Sequence, residues 1–144
     1  MTGSKLYIDT APFIYFLEKS SLYFEQIRKF FIDCKNTNAQ LSTSAVTVEE
    51  YCVYPLSQKN NQAVSNFEKF LDGMEIKIIP VDKTVALEAA ELRAKYPALK
   101  ALDTIHLATS IINECSAFIT NDKRLQQTQE ISVVTMADLA KTSF

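Results

Sequence analysis

Glycine, proline and histidine are scarce in this sequence of 144 residues, which has 2 glycines, 4 prolines and one histidine, and tryptophan is absent. So little glycine and proline argues against collagen-like repeats, flexible linkers and disorder. The three cysteines, Cys34, Cys52 and Cys115, form no CxxC pair, which argues against a zinc knuckle or a disulfide framework. We expect all three to be buried, reduced thiols. With His106 as the only imidazole and no suitably placed serine elbow, a catalytic triad is not indicated.

An excess of either charge is also missing, since 15 basic residues stand against 17 acidic ones and the net charge is -2. Nucleic-acid-binding domains are usually basic, so this balance counts against a nucleic-acid substrate. A metal bound among carboxylates would, however, reverse the sign of an acidic site locally. No apolar run is long enough to span a membrane, and the first residues lack the apolar core of a signal peptide. These features predict a cytoplasmic protein that does not enter a membrane.

Short apolar segments with the features of buried strands alternate with segments of helical period. The expected strands cover residues 5–9, 40–43, 75–80, 117–120 and 131–135. The expected helices cover residues 13–17, 23–36, 44–55, 61–71 and 85–96, and a further one is opened by Asp103. Strands that alternate with helices predict a parallel sheet covered on both faces. We therefore expect one three-layer α/β domain over residues 1–144.

The residues at the ends and along the faces of these elements predict local details. Thr10 is placed to cap the first helix. Asp82 is placed to cap the helix over residues 85–96. The inner side of that helix is expected to carry Ala86, Ala89, Ala90 and Leu92. In the third strand, the adjacent Ile78 and Ile79 indicate burial on both faces of the sheet.

Acidic residues fall where the carboxyl ends of parallel strands would meet, the edge at which such sheets bind ligands. Asp9 ends the first strand, and Asp122 follows the fourth by a short turn. Glu50 and Asp103 lie near the starts of helices that would begin at the same edge. Carboxylates brought together repel one another unless a cation neutralises them. A set of hard oxygen ligands indicates Mg2+ or Mn2+ rather than zinc.

Each acid also has an ordinary structural explanation. Asp103 could be a helix N-cap, Glu50 a solvated helix residue and Asp122 a turn residue. Asp9 is harder to explain in this way, because a buried acid without a partner is costly. The pattern alone does not separate a nuclease from a Mg2+-dependent phosphatase or receiver domain. A haloacid-dehalogenase-like phosphatase would, however, need a second Asp two residues after the first, where this chain has Ala11.

Five segments that carry these acids occur in a characteristic order. They are LYIDTAPFIYFLE at 6–18, LSTSAVTVEE at 41–50, AAELR at 89–93, LDTIHLAT at 102–109 and FITNDKRL at 118–125. In this order and at these separations, they resemble the PIN-domain family, and especially the VapC-type toxins of prokaryotic toxin–antitoxin pairs. The likeness spans nearly the whole chain. It implies a five-stranded parallel sheet of order 3-2-1-4-5, a homodimer and a cognate antitoxin protein.

The resemblance also implies a metal site, which by position consists of Asp9, Glu50, Asp103 and Asp122. Glu49 competes with Glu50 for one place in this set. Glu50 is preferred because the family's glutamate follows a Thr-apolar-x pattern and precedes a proline by five residues. Thr47 and Pro55 fit only that register.

The activity that the resemblance implies is endoribonuclease hydrolysis of RNA with Mg2+ or Mn2+. Thr10 and Thr120 are expected to orient carboxylates or water, and His106 is expected to lie beneath the site and hydrogen-bond a ligand carboxylate or a backbone carbonyl. Phosphate contacts are expected from Lys123, Arg124 and Arg93. The alternative within the same fold is a scaffold with little activity that binds RNA or a protein partner.

Overall fold

A five-stranded parallel sheet forms the centre of the molecule. The structure is a computed structural model that describes residues 3–20, 22–142 and 144. The strand order is β3-β2-β1-β4-β5, and every neighbouring pair is parallel, as predicted. The strands are β1 (Lys5–Ile8), β2 (Gln40–Ser44), β3 (Lys77–Ile79), β4 (Ala117–Thr120) and β5 (Ser132–Thr135).

Six helices cover the two faces of the sheet, which confirms the three-layer α/β architecture. They are α1 (Thr10–Leu17), α2 (Phe24–Thr37), α3 (Ala45–Ser57), α4 (Asn61–Gly73), α5 (Lys83–Lys95) and α6 (Ala101–Ile112). Buried residues of α1 to α4 form one core with Leu6 and Ile8 of β1. Buried residues of α5 and α6 form a second core with Tyr7 of β1 and Phe118 of β4. None of the helices in the described ranges is long and apolar enough to cross a membrane.

Side chains alternate between the two faces of β1, so its residues belong to the two cores in turn, and Asp9 follows directly at the end of the strand. Leu6 and Ile8 are fully buried on one face, and Tyr7 is fully buried on the other. The next residue, Asp9, is held at the strand end because its N–H donates to the carbonyl of Ile119 in β4 (2.9 Å). Asp9 therefore lies between the ends of the two central strands.

Several helix starts depend on a side chain that accepts a backbone N–H. Ser44 caps α3 by accepting from Val46 N (3.2 Å), and Asp82 caps α5 by accepting from Val85 N (2.9 Å), as predicted. The prediction for α1 was wrong by one residue, because Asp9 is the N-cap and Thr10 is the first helical residue. Because Thr10 is not the cap, its hydroxyl is available to donate to Glu50.

Three predictions of burial were wrong in part. Ile79 is buried but Ile78 is 44% exposed, because β3 is an edge strand whose side chains alternate between faces. The buried face of α5 carries Val85, Ala89 and Leu92 at helical spacing, which leaves Ala86 and Ala90 exposed. Cys34 and Cys52 are buried free thiols, whereas Cys115 is only half-buried.

Candidate active site

Asp9 is held in place by hydrogen bonds to both carboxylate oxygens. Its Oδ1 accepts from the N–H of Thr10 (2.7 Å), which caps α1. Its Oδ2 accepts from the hydroxyl of Thr120 at the end of β4 (2.7 Å). The side chain is 15% exposed. The carboxylate is therefore oriented by two neighbouring elements while part of it stays open to the sheet edge.

Glu50 lies in the second turn of α3, in the helical layer formed by α1 to α4, and its side chain extends to the sheet edge where Asp9 lies. Its Oε1 accepts from the hydroxyl of Thr10 (2.8 Å) and lies 2.6 Å from Nε2 of His106. The hydrogen bond with His106, supported by that from Thr10, holds the pKa of Glu50 below its ordinary value. The neighbouring Glu49 is exposed. Of the two glutamates, it is thus Glu50 that faces Asp9.

His106 comes from the other helical layer and is 2% exposed. Its Nδ1 lies 2.7 Å from the hydroxyl of Tyr7, and its Nε2 lies 3.5 Å from Oδ1 of Asp9 as well as close to Glu50. Burial lowers the pKa of His106, but the hydrogen bond with Glu50 and the nearby carboxylates outweigh that effect. The pKa of the imidazole consequently lies above its ordinary value.

Asp103 lies in the first turn of α6 but is not its N-cap, which is Lys100. The Oδ2 atom of Asp103 is buried and has no hydrogen-bond partner among the described residues. Burial raises the pKa of Asp103, and the charges of Asp122 and Asp9 raise it further. The alternative of an ordinary helix cap is therefore excluded, and the carboxyl belongs to the same acidic group.

Asp122 follows β4 and combines an ordinary structural role with a place in the cluster. It caps a short 3-10 helix (Lys123–Gln127) by accepting from Arg124 N (3.0 Å). The Arg124 guanidinium pairs with the same carboxylate and lies 3.7 Å from Oδ2 of Asp103. Because Arg124 donates to it, the pKa of Asp122 is held below its ordinary value.

The donor set fits a divalent cation. Ligand atoms of Asp9, Glu50 and His106 all lie within 4.8 Å of one another, and Asp103 adjoins them. A buried carboxylate oxygen without a hydrogen-bond partner among the described residues, such as Oδ2 of Asp103, is the kind of atom that a metal ion would satisfy. Carboxylate oxygens are the ligands that Mg2+ and Mn2+ prefer.

The sequence matches the PIN domain family over residues 6–131. The chain belongs to the PIN domain family. Solved structures of similar fold include the VapBC2 complex of Rickettsia felis bound to a promoter DNA fragment (TM-score 0.76, 16% identity, 91% of this chain and 98% of that chain). A toxin–antitoxin complex of Klebsiella pneumoniae has a TM-score of 0.71 at 21% identity, over 91% of this chain and 97% of that chain. DNA-bound VapBC of Salmonella typhimurium has a TM-score of 0.74 at 16% identity, over 92% of this chain and 98% of that chain. A sequence search among curated proteins finds no significant match.

The basic residues expected to contact phosphate lie at different places in this PIN domain. Arg124 forms ion pairs with Asp122 and Asp103, and its side chain is half exposed. Lys123 begins the 3-10 helix, where its charge helps to lower the pKa of Asp138. Arg93 is exposed in the last turn of α5, and no ion pair between described residues joins it to the four acids. Lys100 was missed by the sequence analysis, although its charge helps to lower the pKa of Asp122.

Two further polar residues of this PIN domain were also missed. The hydroxyl of Thr47 is buried in α3 and contacts the hydroxyls of Thr10 (3.2 Å) and Thr43 (2.8 Å). Tyr7 looked like an ordinary apolar strand residue, yet its hydroxyl contacts His106. The signal available in the sequence was that Tyr7 stands two residues before Asp9, so both side chains leave the strand on one face. A buried tyrosine hydroxyl usually needs a partner.

Proposed function

We propose that this chain is a Mg2+- or Mn2+-dependent endoribonuclease and the toxin of a VapBC-type toxin–antitoxin pair. The observation that supports the proposal is the cluster of Asp9, Glu50 and His106, whose ligand atoms lie within 4.8 Å of one another, with Asp103 and Asp122 beside it, both paired with Arg124. Oδ2 of Asp103 is buried without a hydrogen-bond partner among the described residues, and the Arg124 guanidinium lies 3.7 Å away. A buried carboxylate oxygen without a hydrogen bond is costly, so its retention supports a metal site rather than a packing role.

Asp9 and Asp103 are the proposed principal metal ligands, with Asp122 as a ligand of a second ion or of a bound water. Thr120 orients Asp9 through its hydrogen bond to Oδ2. A divalent ion held here would neutralise a phosphate oxygen and lower the pKa of a coordinated water. The orphan Asp103 oxygen and the absence of a second histidine in the sequence favour Mg2+ or Mn2+ over zinc.

Glu50 is the proposed general base or a further ligand. Its Oε1 already accepts from Thr10 and contacts His106, so Oε2 is the atom left to take a proton from water or to bind the ion. Arg124 is the proposed phosphate contact nearest the acids, supported by Lys123 and Lys100. Arg124 pairs with Asp122 here, and an ion among the acids would compete for that carboxylate and release the guanidinium for RNA.

The proposed partners are an RNA substrate, an antitoxin protein and a second copy of the chain. The VapBC complexes of similar fold support the antitoxin. An apolar surface on α3 supports a protein interface, since Val53, Tyr54 and Leu56 are each more than half exposed. We also propose that residues 1–144 act as one domain in the cytoplasm.

The test is cleavage of an end-labelled single-stranded RNA, with DNA of the same sequence as control, in Mg2+, Mn2+ and EDTA. We expect metal-dependent cutting of the RNA and products with a linear phosphate at one new end and a hydroxyl at the other, because water is the proposed nucleophile. Cyclic phosphate ends would show instead that the ribose 2′-hydroxyl attacks. RNA binding without cutting in either metal would favour the scaffold alternative.

A further inference from the structure

The hydroxyl of the buried Tyr7 contacts His106, which has the single imidazole in this chain. Tyr7 is fully buried in the centre of the sheet, where its ring stacks on Phe118 (centroids 5.1 Å apart, planes 10° apart). Its hydroxyl lies 2.7 Å from Nδ1 of His106. The stack fixes the ring of Tyr7, so the hydroxyl is directed at one nitrogen of His106 by packing that does not involve the carboxylates.

The contact of the other ring nitrogen, Nε2, determines whether Tyr7 or His106 donates the hydrogen bond between them. Nε2 of His106 lies 2.6 Å from Oε1 of Glu50, and an ionised carboxylate can only accept. A lone pair on Nε2 would face the carboxylate at this distance, whereas a proton on Nε2 forms a strong hydrogen bond. In the neutral ring Nδ1 is then an acceptor, and the phenol of Tyr7 is its donor.

The reverse arrangement fits less well. A proton on Nδ1 would make the Tyr7 oxygen an acceptor and require another acceptor for the phenol proton. Among the described residues, the Tyr7 hydroxyl makes no hydrogen bond other than the one with Nδ1 of His106, so no other acceptor takes the phenol proton. In the reverse arrangement the bond between His106 and Glu50 would also be lost.

We propose that Tyr7 is a positioning residue of the active site. By donating to Nδ1 of the neutral ring, it fixes the orientation of His106 and keeps its proton on Nε2, directed at Glu50. Oε1 of Glu50 is thereby occupied by His106 and Thr10, and Oε2 is the oxygen left for a metal or its water. His106 is consequently a donor rather than a metal ligand, although Nε2 lies within 4.8 Å of the Asp9 and Glu50 ligand atoms.

The tautomer can be measured directly because His106 is the only histidine. We would record nitrogen NMR spectra of metal-free protein labelled with 15N-histidine, at a pH above the titration of the imidazole. The expected spectrum has a protonated Nε2 and an unprotonated Nδ1. A protonated Nδ1 in the wild-type protein would overturn the proposal, and this result does not depend on any variant folding.

Variants separate the effect of Tyr7 from that of the carboxylate. In Glu50→Gln the carboxylate no longer attracts the proton, so Tyr7 alone should keep it on Nε2. In the double variant Tyr7→Phe/Glu50→Gln both tautomers should be populated. A mixture already present in Glu50→Gln, or no change on adding Tyr7→Phe, would contradict the assignment of this role to Tyr7.

The effect on cleavage rests on the proposed function, whereas the tautomer does not. Tyr7→Phe should lower the turnover of RNA about ten-fold without raising KM, as loss of an outer hydrogen bond often does. Tyr51→Phe is the matched control, since Tyr51 is also buried and stacked, on Phe67 (4.1 Å, 12°). In a His106→Gln background, Tyr7→Phe should have little effect, because no imidazole remains to be oriented. An equal loss in both backgrounds would show a merely structural role.

Discussion

Nε2 of His106 lies 2.6 Å from Oε1 of Glu50, and this contact joins residues 56 positions apart in the chain. Glu50 belongs to α3 in one helical layer and His106 to α6 in the other. The hydrogen bond therefore connects the two layers across the open edge of the sheet. It also fixes the glutamate at the position where a metal or its water would be bound.

Replacing His106 by glutamine should preserve part of this contact. The side-chain amide can still donate to Glu50, so we expect Mn2+-dependent RNA cleavage to fall only about ten-fold. Asp103→Asn should lose nearly all cleavage, because it removes a proposed ligand charge. The rates of the two variants under single-turnover conditions check this. Equal losses, with an acid limb of the wild-type pH–rate profile that disappears in His106→Gln, would make His106 a proton donor in the reaction.

Alanine at Asp9 and at Asp103 should have opposite effects on the metal-free protein. Asp9→Ala removes the N-cap of α1 and the acceptor for Thr120, so we expect a loss of about 1 to 2 kcal/mol, or roughly 3 °C in Tm per kcal/mol. Asp103→Ala removes a buried oxygen that lacks a hydrogen bond and has only a long ion pair with the half-exposed Arg124, so it should leave Tm unchanged or raised. Thermal unfolding in EDTA measures both. A marked loss in Asp103→Ala would show that Asp103 has a structural role.

The unfolding free energy of Asp103→Asn should exceed that of the wild type by an amount that depends on pH. The pKa of Asp103 is raised in the folded protein, so its ionised form opposes folding above that pKa. As pH falls from the raised pKa towards the ordinary one, the difference should shrink, and it should disappear below the ordinary value, where the carboxyl is neutral in both states. The pKa of Glu50 is lowered, so Glu50→Gln should show the opposite sign, with a deficit at neutral pH that disappears in acid. Denaturant titrations in EDTA at a series of pH values test both, and a difference independent of pH would contradict this.

Most of the fold could be predicted because its signals are local. Among the described residues, apolar runs and helical spacing identified each strand and α-helix but not the 3-10 helix Lys123–Gln127, and β4 was placed at residues 117–120 without error. The errors occurred where burial depends on position in the sheet, as at Ile78 on the edge strand, or on the phase of a helix, as at Ala86 and Ala90. Neither property can be read from a short window of sequence.

The sequence analysis named Asp9, Glu50, Asp103 and Asp122 and expected Thr10, Thr120 and His106 to support them. Thr10 and Thr120 donate to carboxylates and His106 contacts Glu50, but which carboxylate each would contact could not be predicted. Tyr7 and His106 are 99 positions apart, and no local period relates them. The ion pairs of Arg124 with Asp122 and Asp103 likewise depend on how the 3-10 helix after β4 turns towards α6.

Removal of the Arg124 charge should strengthen metal binding and weaken RNA binding. Arg124 neutralises Asp122 in the metal-free protein, so Arg124→Gln should increase the gain in Tm produced by Mg2+. The salt slope of single-stranded RNA binding, measured in a Glu50→Gln background to prevent cleavage, should fall by about 0.7. Lys69→Gln, at an exposed lysine of α4, is the control and should change neither quantity. If Arg124→Gln leaves both quantities as Lys69→Gln does, Arg124 has no part in the site.

The most direct test compares two adjacent glutamates in one assay. Glu50 contacts His106 and Thr10 in the site, whereas Glu49 is exposed, and each can be changed to glutamine with the same loss of charge. We would measure RNA cleavage against Mn2+ concentration for the wild type, Glu49→Gln and Glu50→Gln, with EDTA as the blank. We predict that the wild type and Glu49→Gln cut equally and only with metal, and that Glu50→Gln loses at least about 100-fold. Cleavage that survives EDTA, or that is as fast in Glu50→Gln as in Glu49→Gln, would contradict a metal-dependent nuclease site at these carboxylates.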